Sequence, residues 1–276
     1  MTKTHLLVLL ASVPAVAFAR SPRSEVVARA LPESVKVKLD VDGEPVRVAS
    51  GVVIASRGGE RPTSWVLTNA HVVELAGLTG VARFHVSTEG ARALDLPAAV
   101  VAQGRVPDVD LAVLEVTGAA LTPAEFAEDA DTTLGDDVLV VAAPYGKSLS
   151  VSSGIVSQLE GGKMKTDAPV GYGASGGGVF GVPGGKLLGV VEGYRTARVA
   201  FAGKEASYGF DVPMPGETFV AHVSKIRRFL AEHGLAQLLP QSTAARVTAS
   251  PAKDDIPAPP AASLPSPRLR TTSYQL

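Results

Sequence analysis

Ser175, His71 and Asp110 are the residues of this sequence whose types and positions are best suited to chemistry. A serine hydroxyl becomes a nucleophile when a base takes its proton and a carboxylate holds that base in one tautomer. The histidine and the aspartate each lie at an end of a predicted buried strand, and rigid strand ends commonly carry functional side chains. The three residues predict nucleophilic hydrolysis, with Ser175 as the attacking group.

Ser175 lies in a glycine-rich segment, residues 171–181, which contains six glycines. Such a run is unfavourable unless the backbone needs unusual dihedral angles or close approach, because glycine loses the most freedom on folding. A loop that directs backbone N–H groups at a developing negative charge needs both. A flexible surface loop explains the glycines equally well, so the segment alone leaves both interpretations open.

A second arrangement uses the same serine. Residues 173–177 also fit the G-x-S-x-G pattern of a nucleophile elbow, with Asp211 and then His222 or His233 as partners, which is the order of an α/β-hydrolase. That elbow requires a helix directly after the serine, and the glycine- and proline-containing segment 178–185 cannot form one. The remaining histidine of the folded region, His85, is better explained as structural or solvent-facing, as are His222 and His233.

The composition excludes several other classes of function. A formal net charge of −1 argues against nucleic acid as a partner, because phosphate binding needs a basic excess. The chain has no cysteine and no H-E-x-x-H motif, which removes thiol nucleophiles and the common zinc patterns. We therefore expect no metal and no cofactor. The 28 glycines and 20 prolines indicate many turns and so an all-β protein.

Residues 1–19 have the pattern of a signal peptide. Lys3 precedes an apolar run from Leu6 to Phe18, and Ala17 and Ala19 are the small residues that a signal peptidase reads. The run is short for a transmembrane helix, although an uncleaved anchor is an alternative. We expect an exported protein, periplasmic or extracellular, with no membrane contact after cleavage.

Alternating and apolar segments predict strands along both halves of the chain. The period changes after Pro215, where Phe219, Val223, Ile226 and Leu230 fall at helical spacing before Gly234. The predicted strands include Ser34–Asp42, Ala49–Ala55, Ser64–Thr68, Arg83–Ser87, Leu96–Ala102, Asp137–Ala142, Leu149–Leu159, Lys186–Glu192 and Ser207–Val212.

Three segments, Thr68–Val73, Asp108–Leu114 and Thr166–Gly177, resemble the catalytic blocks of trypsin-like serine proteases of the HtrA/Deg group. The resemblance runs from about Ser34 to Leu235. It implies an all-β chymotrypsin-like fold of two antiparallel six-stranded barrels with a C-terminal helix, and a site in the cleft between them. Within it we expect an N-terminal barrel at 33–127 and a C-terminal barrel and helix at 128–235. The residue pattern outside it predicts the signal peptide at 1–19, a lead-in at 20–32, and a disordered tail rich in Pro, Ala and Ser at 236–276.

The resemblance also implies roles for individual residues. It makes His71 the general base, Asp110 its orienting partner and Ser175 the nucleophile, with the backbone N–H groups of Gly173 and Ser175 forming an oxyanion hole. It further implies a set of substrate-binding residues. Pro169, six residues before the serine, carries no acidic charge, which argues against a strict basic preference and favours small or aliphatic side chains. The implied substrate-binding residues are Glu192, Gly193, Tyr194, Gly209 and Pro169.

The sequence departs from the family pattern at two places in the loop. Ala174 stands where the family usually has Asn, and Gly178 stands where it often has Pro or Ala. The extra freedom gives the oxyanion loop room for an inactive arrangement. The residues after the helix leave no space for the PDZ domain that the family typically carries, so we expect none.

The sequence thus predicts an exported serine endopeptidase that cleaves proteins or peptides through an acyl-enzyme. The alternative is a protease-fold binding protein whose oxyanion loop is inactive or conditionally active. The oligomeric state has no signal in the sequence.

Overall fold

The computed structural model of the protein describes residues 20–202 and 207–239. The predicted signal peptide lies outside these residues, as does the predicted tail from residue 240 onwards. In the described part of the chain, no helix has the length and apolar character that a membrane crossing requires.

The first half of the chain forms a closed antiparallel barrel. Short polar turns connect alternating strands, and the sheet order is β1-β2-β3-β6-β5-β4. The strands are β1 (Ser34–Val41), β2 (Glu44–Arg57), β3 (Thr63–Thr68), β4 (Ala82–Ser87), β5 (Asp95–Gln103) and β6 (Ala112–Thr117).

The second half forms another closed antiparallel barrel, with the order β10-β11-β12-β9-β8-β7. The predicted fold class, two antiparallel six-stranded barrels of the chymotrypsin type with a C-terminal helix, is confirmed. The strands are β7 (Asp137–Ala142), β8 (Ser150–Glu160), β9 (Lys163–Thr166), β10 (Gly178–Val182), β11 (Leu187–Ala202) and β12 (Ser207–His222).

Each barrel encloses its own apolar core, and a third apolar cluster joins the two barrels. Val35, Val53 and Leu114 are fully buried in the first barrel. The joining cluster draws on both barrels and includes Val52 and Phe180, which are both fully buried. Burial of a single large aliphatic or aromatic side chain stabilises a fold by about 1.5–3 kcal/mol. The cluster therefore holds the two barrels in one fixed relation.

Two longer helices pack on this framework. Helix α1 (Pro22–Glu33) begins after Ser21, whose hydroxyl accepts the N–H of Ser24 at 3.3 Å, and proline occupies its first turn. Helix α3 (Val223–Glu232) has His222 as its N-cap and buries Ile226, Phe229 and Leu230 in the joining cluster. A four-residue helix, α2 (Ala70–Val73), carries His71.

The predicted helix from Pro215 is wrong in its first part. Residues 215–222 continue strand β12, and the helix begins only at Val223. Thr218 pairs with β11 on one side and with Thr166 of β9 on the other, so pairing along both edges decides the conformation. The four-residue spacing from Phe219 to Val223 was consistent with a helix but spans this boundary. Strand β10 was not predicted either, because glycines occupy two of its five positions.

Glu33 is a buried carboxyl group at the end of α1. Its residue is 3% exposed, and its Oε2 has no hydrogen-bond partner among the described residues. Burial raises the pKa of Glu33 to about 7, against the lowering effect of Arg29 and with a further rise from Glu125. The folded protein therefore holds a proton on Glu33 at pH values where the unfolded chain has released it.

We predict that Glu33→Gln stabilises the protein at alkaline pH. Because the folded-state pKa is raised, the contribution of Glu33 to the free energy of unfolding falls as pH rises from about 4.5 to 7. Urea unfolding should show no gain for the variant near pH 4.5 and a gain of up to about 3 kcal/mol at pH 8. Glu25→Gln, on the exposed side of the same helix, should give no gain at either pH and a loss of at most about 1 kcal/mol at pH 8, because Glu25 lies in the first turn of the helix. A gain that is equal at both pH values would contradict the assignment.

Candidate active site

His71 is held by the backbone of the short helix α2. The guanidinium Nη1 of Arg47 donates to the carbonyl oxygens of His71, Val72 and Glu74, at 3.0, 2.9 and 2.8 Å. The last carbonyls of a helix have no partner within it, and the two N–H groups of this nitrogen are shared among three of them. Asn69, the residue before the helix, donates from Nδ2 to the backbone oxygen of Asp110 at 2.7 Å. These bonds fix the segment that carries the imidazole.

Asp110 binds His71 through both of its carboxylate oxygens. Oδ2 lies 2.7 Å from the ring Nδ1, and Oδ1 accepts the backbone N–H of His71 at 3.0 Å. The Asp110 side chain is 6% exposed and that of His71 is 27% exposed, so the imidazole shields the pair from water on one side. A carboxylate only accepts hydrogen bonds, so Nδ1 carries the proton and Nε2 is left as the basic nitrogen.

The loop that carries Ser175 runs between β9 and β10. Gly173 and Gly176 have φ of +88° and +81°, the left-handed region that favours glycine. Ala174 is buried, and the added side chain of any other residue at Gly178 would meet the ring of Phe180 and Val52. The loop is therefore packed with Ala174 in place of the usual Asn and Gly178 in place of the usual Pro or Ala.

Two backbone N–H groups beside the serine are unused. The carbonyl of Tyr172 accepts the N–H of Tyr145 at 2.6 Å, and that of Ala174 accepts the N–H of Gly177 at 2.9 Å. In a trans peptide the N–H points away from the C=O, so these two anchors turn the N–H groups of Gly173 and Ser175 to the opposite side. Neither N–H donates a hydrogen bond within the described residues. Such a pair can receive an oxyanion.

One cleft of about 980 Å³ brings the predicted catalytic groups together. His71, Asp110, Gly173 and Ser175 all line it. The hydroxyl of Ser175 makes no hydrogen bond to any described residue, including His71. Catalytic hydrogen bonds are often long before substrate binds. Across the described chain, no group of three His, Cys, Asp or Glu side chains could hold a metal ion.

The predicted substrate-binding residues divide into two sets. Glu192, Gly193 and Tyr194, on β11, line the cleft. Pro169 is exposed and is not among the described residues that line it. The same is true of Gly209, which pairs with Ala200 near the outer end of the long β11–β12 hairpin.

The hairpin geometry explains why Gly209 lies elsewhere. Gly193 pairs with Phe219, whereas the partner of Gly209 is seven residues further along β11, roughly 20 Å at the rise of a strand. Phe219 therefore occupies the position opposite Gly193 and lines the cleft. Its spacing to Val223 fits a helix as well as a strand, so the local pattern does not reveal that Phe219 faces the cleft.

Glu192 forms an ion pair with Lys225. Its Oε1 lies 2.6 Å from Nζ of Lys225, and the two side chains are 20% and 16% exposed. Lys225 also lines the cleft but was missed, because a lysine in a predicted surface helix carries no signal of a buried partner.

The comparison with protein families decides to which family the chain belongs. The family described as a trypsin-like peptidase domain matches residues 49–190, just over half of the chain. The chain belongs to this family. The double barrel and the absence of a helix after Ser175 also exclude the α/β-hydrolase alternative.

Relatives of this trypsin-like peptidase domain are named as serine proteases. A probable periplasmic serine protease do/HhoA-like of Haemophilus influenzae is 31% identical, over 60% of this chain and 34% of its own. The periplasmic serine endoprotease DegP of Salmonella typhimurium is 30% identical over 60% and 33%, and the serine protease PepD of Mycobacterium tuberculosis is 27% identical over 74% and 46%. The predicted resemblance to the HtrA/Deg group is confirmed.

The fold of the domain recurs in a solved structure. The crystal structure of the serine endoprotease from Yersinia pestis superposes with a TM-score of 0.58 at 22% identity, and covers 79% of this chain and 68% of that one. The chain spans about a third to a half of the length of the curated relatives named above.

We predict that the neutral imidazole of His71 carries its proton on Nδ1, because Asp110 can only accept there. Two-bond proton–nitrogen NMR spectra should show this tautomer in the wild type. In Asp110→Asn the amide can donate instead, so the proton should move to Nε2. Asp42→Asn, whose carboxylate accepts the N–H of Val81 but touches no histidine, should leave the His71 signals unchanged. An Nε2-protonated ring in the wild type would contradict the described geometry.

Proposed function

We propose that this protein is a serine endopeptidase, in which Ser175 is the nucleophile, His71 the general base and Asp110 the group that orients the base. The observation that carries the proposal is the pair of unused N–H groups of Gly173 and Ser175, which open into the same cleft as the His71–Asp110 pair. A binding surface would have no need for two unpaired donors beside a free hydroxyl and a histidine held in one tautomer.

The reaction follows from these positions. The Ser175 oxygen attacks the substrate carbonyl carbon while its proton passes to Nε2 of His71. The carbonyl oxygen becomes an oxyanion and accepts the N–H groups of Gly173 and Ser175, each worth about 2.7–4 kcal/mol in the transition state. His71 then protonates the leaving amine as the C–N bond breaks, which gives an acyl-enzyme. Water, deprotonated by His71, releases the acid and restores Ser175.

The substrate proposed for this cleft is an extended polypeptide. β11 pairs with β10 only as far as Val190, and Val191 exchanges backbone hydrogen bonds with Gly176 and Gly177. Beyond them, Glu192 to Tyr194 line the cleft with no strand partner on that edge among the described residues. An extended chain can add to such an edge by main-chain hydrogen bonds. Beside this edge the side chains of Val191 and Val220 are buried and apolar, and the Glu192 and Lys225 charges neutralise each other. These features favour a small or apolar residue before the cut.

The proposed location is outside the cytoplasm, in a periplasm or the medium. The pattern at residues 1–19 supports export, and several relatives are named as periplasmic enzymes.

Ser175→Ala should abolish hydrolysis of casein and of a fluorogenic peptide, with a loss of kcat of about 10⁵-fold or more, because removal of the nucleophile leaves only binding and the oxyanion donors. A fluorophosphonate probe should label the wild type at Ser175 and leave the variant unlabelled. The circular dichroism spectrum should be the same for both.

Ser153→Ala is the matched control, since this serine is exposed on β8 and lies outside the cleft lining. It should keep full turnover and full labelling. Wild-type protein that is folded, inactive and unlabelled would overturn the proposal and favour a protease-fold binding protein.

The protein made in a Gram-negative host should be processed after Ala19, so that N-terminal sequencing of the exported form begins at Arg20. Ala19→Gln should block processing because the peptidase reads small residues there, whereas Phe18→Gln, at the unread position, should be processed normally. Wild-type protein that keeps residues 1–19 in the cytoplasmic fraction would contradict export.

A further inference from the structure

Ser50 is a buried polar residue of the first barrel that binds the loop of the second. It lies in β2 with no exposed surface. Its hydroxyl donates to the carbonyl of Gly173 at 2.8 Å and accepts the N–H of Ala143 at 2.8 Å. Its backbone N–H donates to the carbonyl of Ser175 at 2.9 Å, and its carbonyl accepts the hydroxyl of Thr68 at 2.8 Å.

Ser50 binds the carbonyl oxygens of Gly173 and Ser175. Along the chain these two carbonyls alternate with the two unused N–H groups, which belong to the same two residues. The Gly173–Ala174 peptide lies between the peptides that carry the N–H of Gly173 and the N–H of Ser175. Because a peptide is planar, a fixed Gly173 carbonyl fixes the whole Gly173–Ala174 plane, and each neighbouring peptide can then turn only about the dihedral angles of Gly173 or of Ala174. The bond from the Ser50 N–H fixes the carbonyl on the far side of Ser175. One residue therefore restrains the loop on each side of the nucleophile.

The same hydroxyl also reaches the segment that orients the first N–H. Ala143 directly precedes the turn Pro144–Gly146, and Tyr145 of that turn donates to the carbonyl of Tyr172. Tyr145 has φ of +57°, an unfavourable value for a non-glycine residue, so this turn needs restraint from outside. By binding the Ala143 N–H, Ser50 links the turn and the loop through one oxygen atom.

We propose that Ser50 is the positioning residue of the oxyanion loop, which sets the direction of the Gly173 and Ser175 N–H groups from the opposite barrel. A hydroxyl suits this position because it donates to one partner and accepts from the other at once. Alanine would leave the Gly173 carbonyl and the Ala143 N–H without this partner inside the protein. The inference rests on the proposed function for its effect on rate, but its effect on the loop can be measured without activity.

The test compares Ser50→Ala with Ser56→Ala. Ser56 lies on the same strand, is half-buried, and donates to the carbonyl of Leu121, away from the loop. Ser50→Ala should lower kcat about 10²-fold and change KM less than threefold. The reason is that the Gly173 and Ser175 N–H groups stabilise the transition state more than the bound substrate, and the variant would misdirect them. Ser56→Ala should lose thermal stability but less than threefold in kcat.

Hydrogen exchange supplies the readout that does not depend on turnover. The N–H groups of Ala174, Gly176 and Gly177 are bonded and should be protected in the wild type. Their exchange should be about tenfold faster in Ser50→Ala and unchanged in Ser56→Ala. If Ser50→Ala does not fold, Ser50→Cys replaces it, because a thiol keeps the volume and weakens both hydrogen bonds.

Each outcome is decisive. Wild-type values of loop exchange and kcat in Ser50→Ala would overturn the inference. It would also be overturned if Ser56→Ala, at the same melting temperature, showed the same loss of kcat and the same rise in loop exchange. A wild type that shows no turnover above Ser175→Ala would overturn the proposed function alone; faster loop exchange in the Ser50 variant would still support the positioning role.

Discussion

The apolar contact between the two barrels is the constraint on which the site depends. Each barrel is closed and encloses its own core, yet neither contains all three residues of the proposed triad. His71 and Asp110 come from one barrel and Ser175 from the other. Catalytic geometry tolerates errors of well under 1 Å, so the relation between the barrels must be fixed to that degree. The shared cluster around Val52 and Phe180, together with α3, provides the rigid contact.

Hydrogen bonds across the interface between the barrels fix the orientation of the serine loop, which the apolar contact alone does not. Burial alone is non-directional and sets distance better than orientation. The bonds from Ser50 to Gly173, Ser175 and Ala143 cross the same interface and select one orientation of the loop. The expectation that Ala174 and Gly178 loosen the loop considered only the loop's own residues. The restraint comes instead from a residue more than a hundred positions earlier, which no local pattern reveals.

A feature of this protein can be predicted from the sequence when the interactions that determine it are between residues close together in the chain. The strand ends that carry His71 and Asp110, and the glycines beside Ser175, are local signals and were readable from the sequence. The extension of β12 through Phe219 depends on pairing with two other strands, and the helical spacing concealed it. The Glu192–Lys225 pair and the distance of Gly209 from the cleft depend on strand register, which composition does not encode.

Helix α1 is the first described element in the chain, but its docking surface is among the last to be completed. It packs on β7 and β10, and Arg29 donates to the carbonyl of Gly184 beyond the end of β10. The partners of its buried Val26 and Ala30 therefore come late in the chain: β10 ends at Val182, and β12, which completes the second barrel, ends only at His222. The first described helix is thus packed by strands of the second half of the chain. A chain that ends before β10 lacks one of the two strands on which this apolar face of the helix packs.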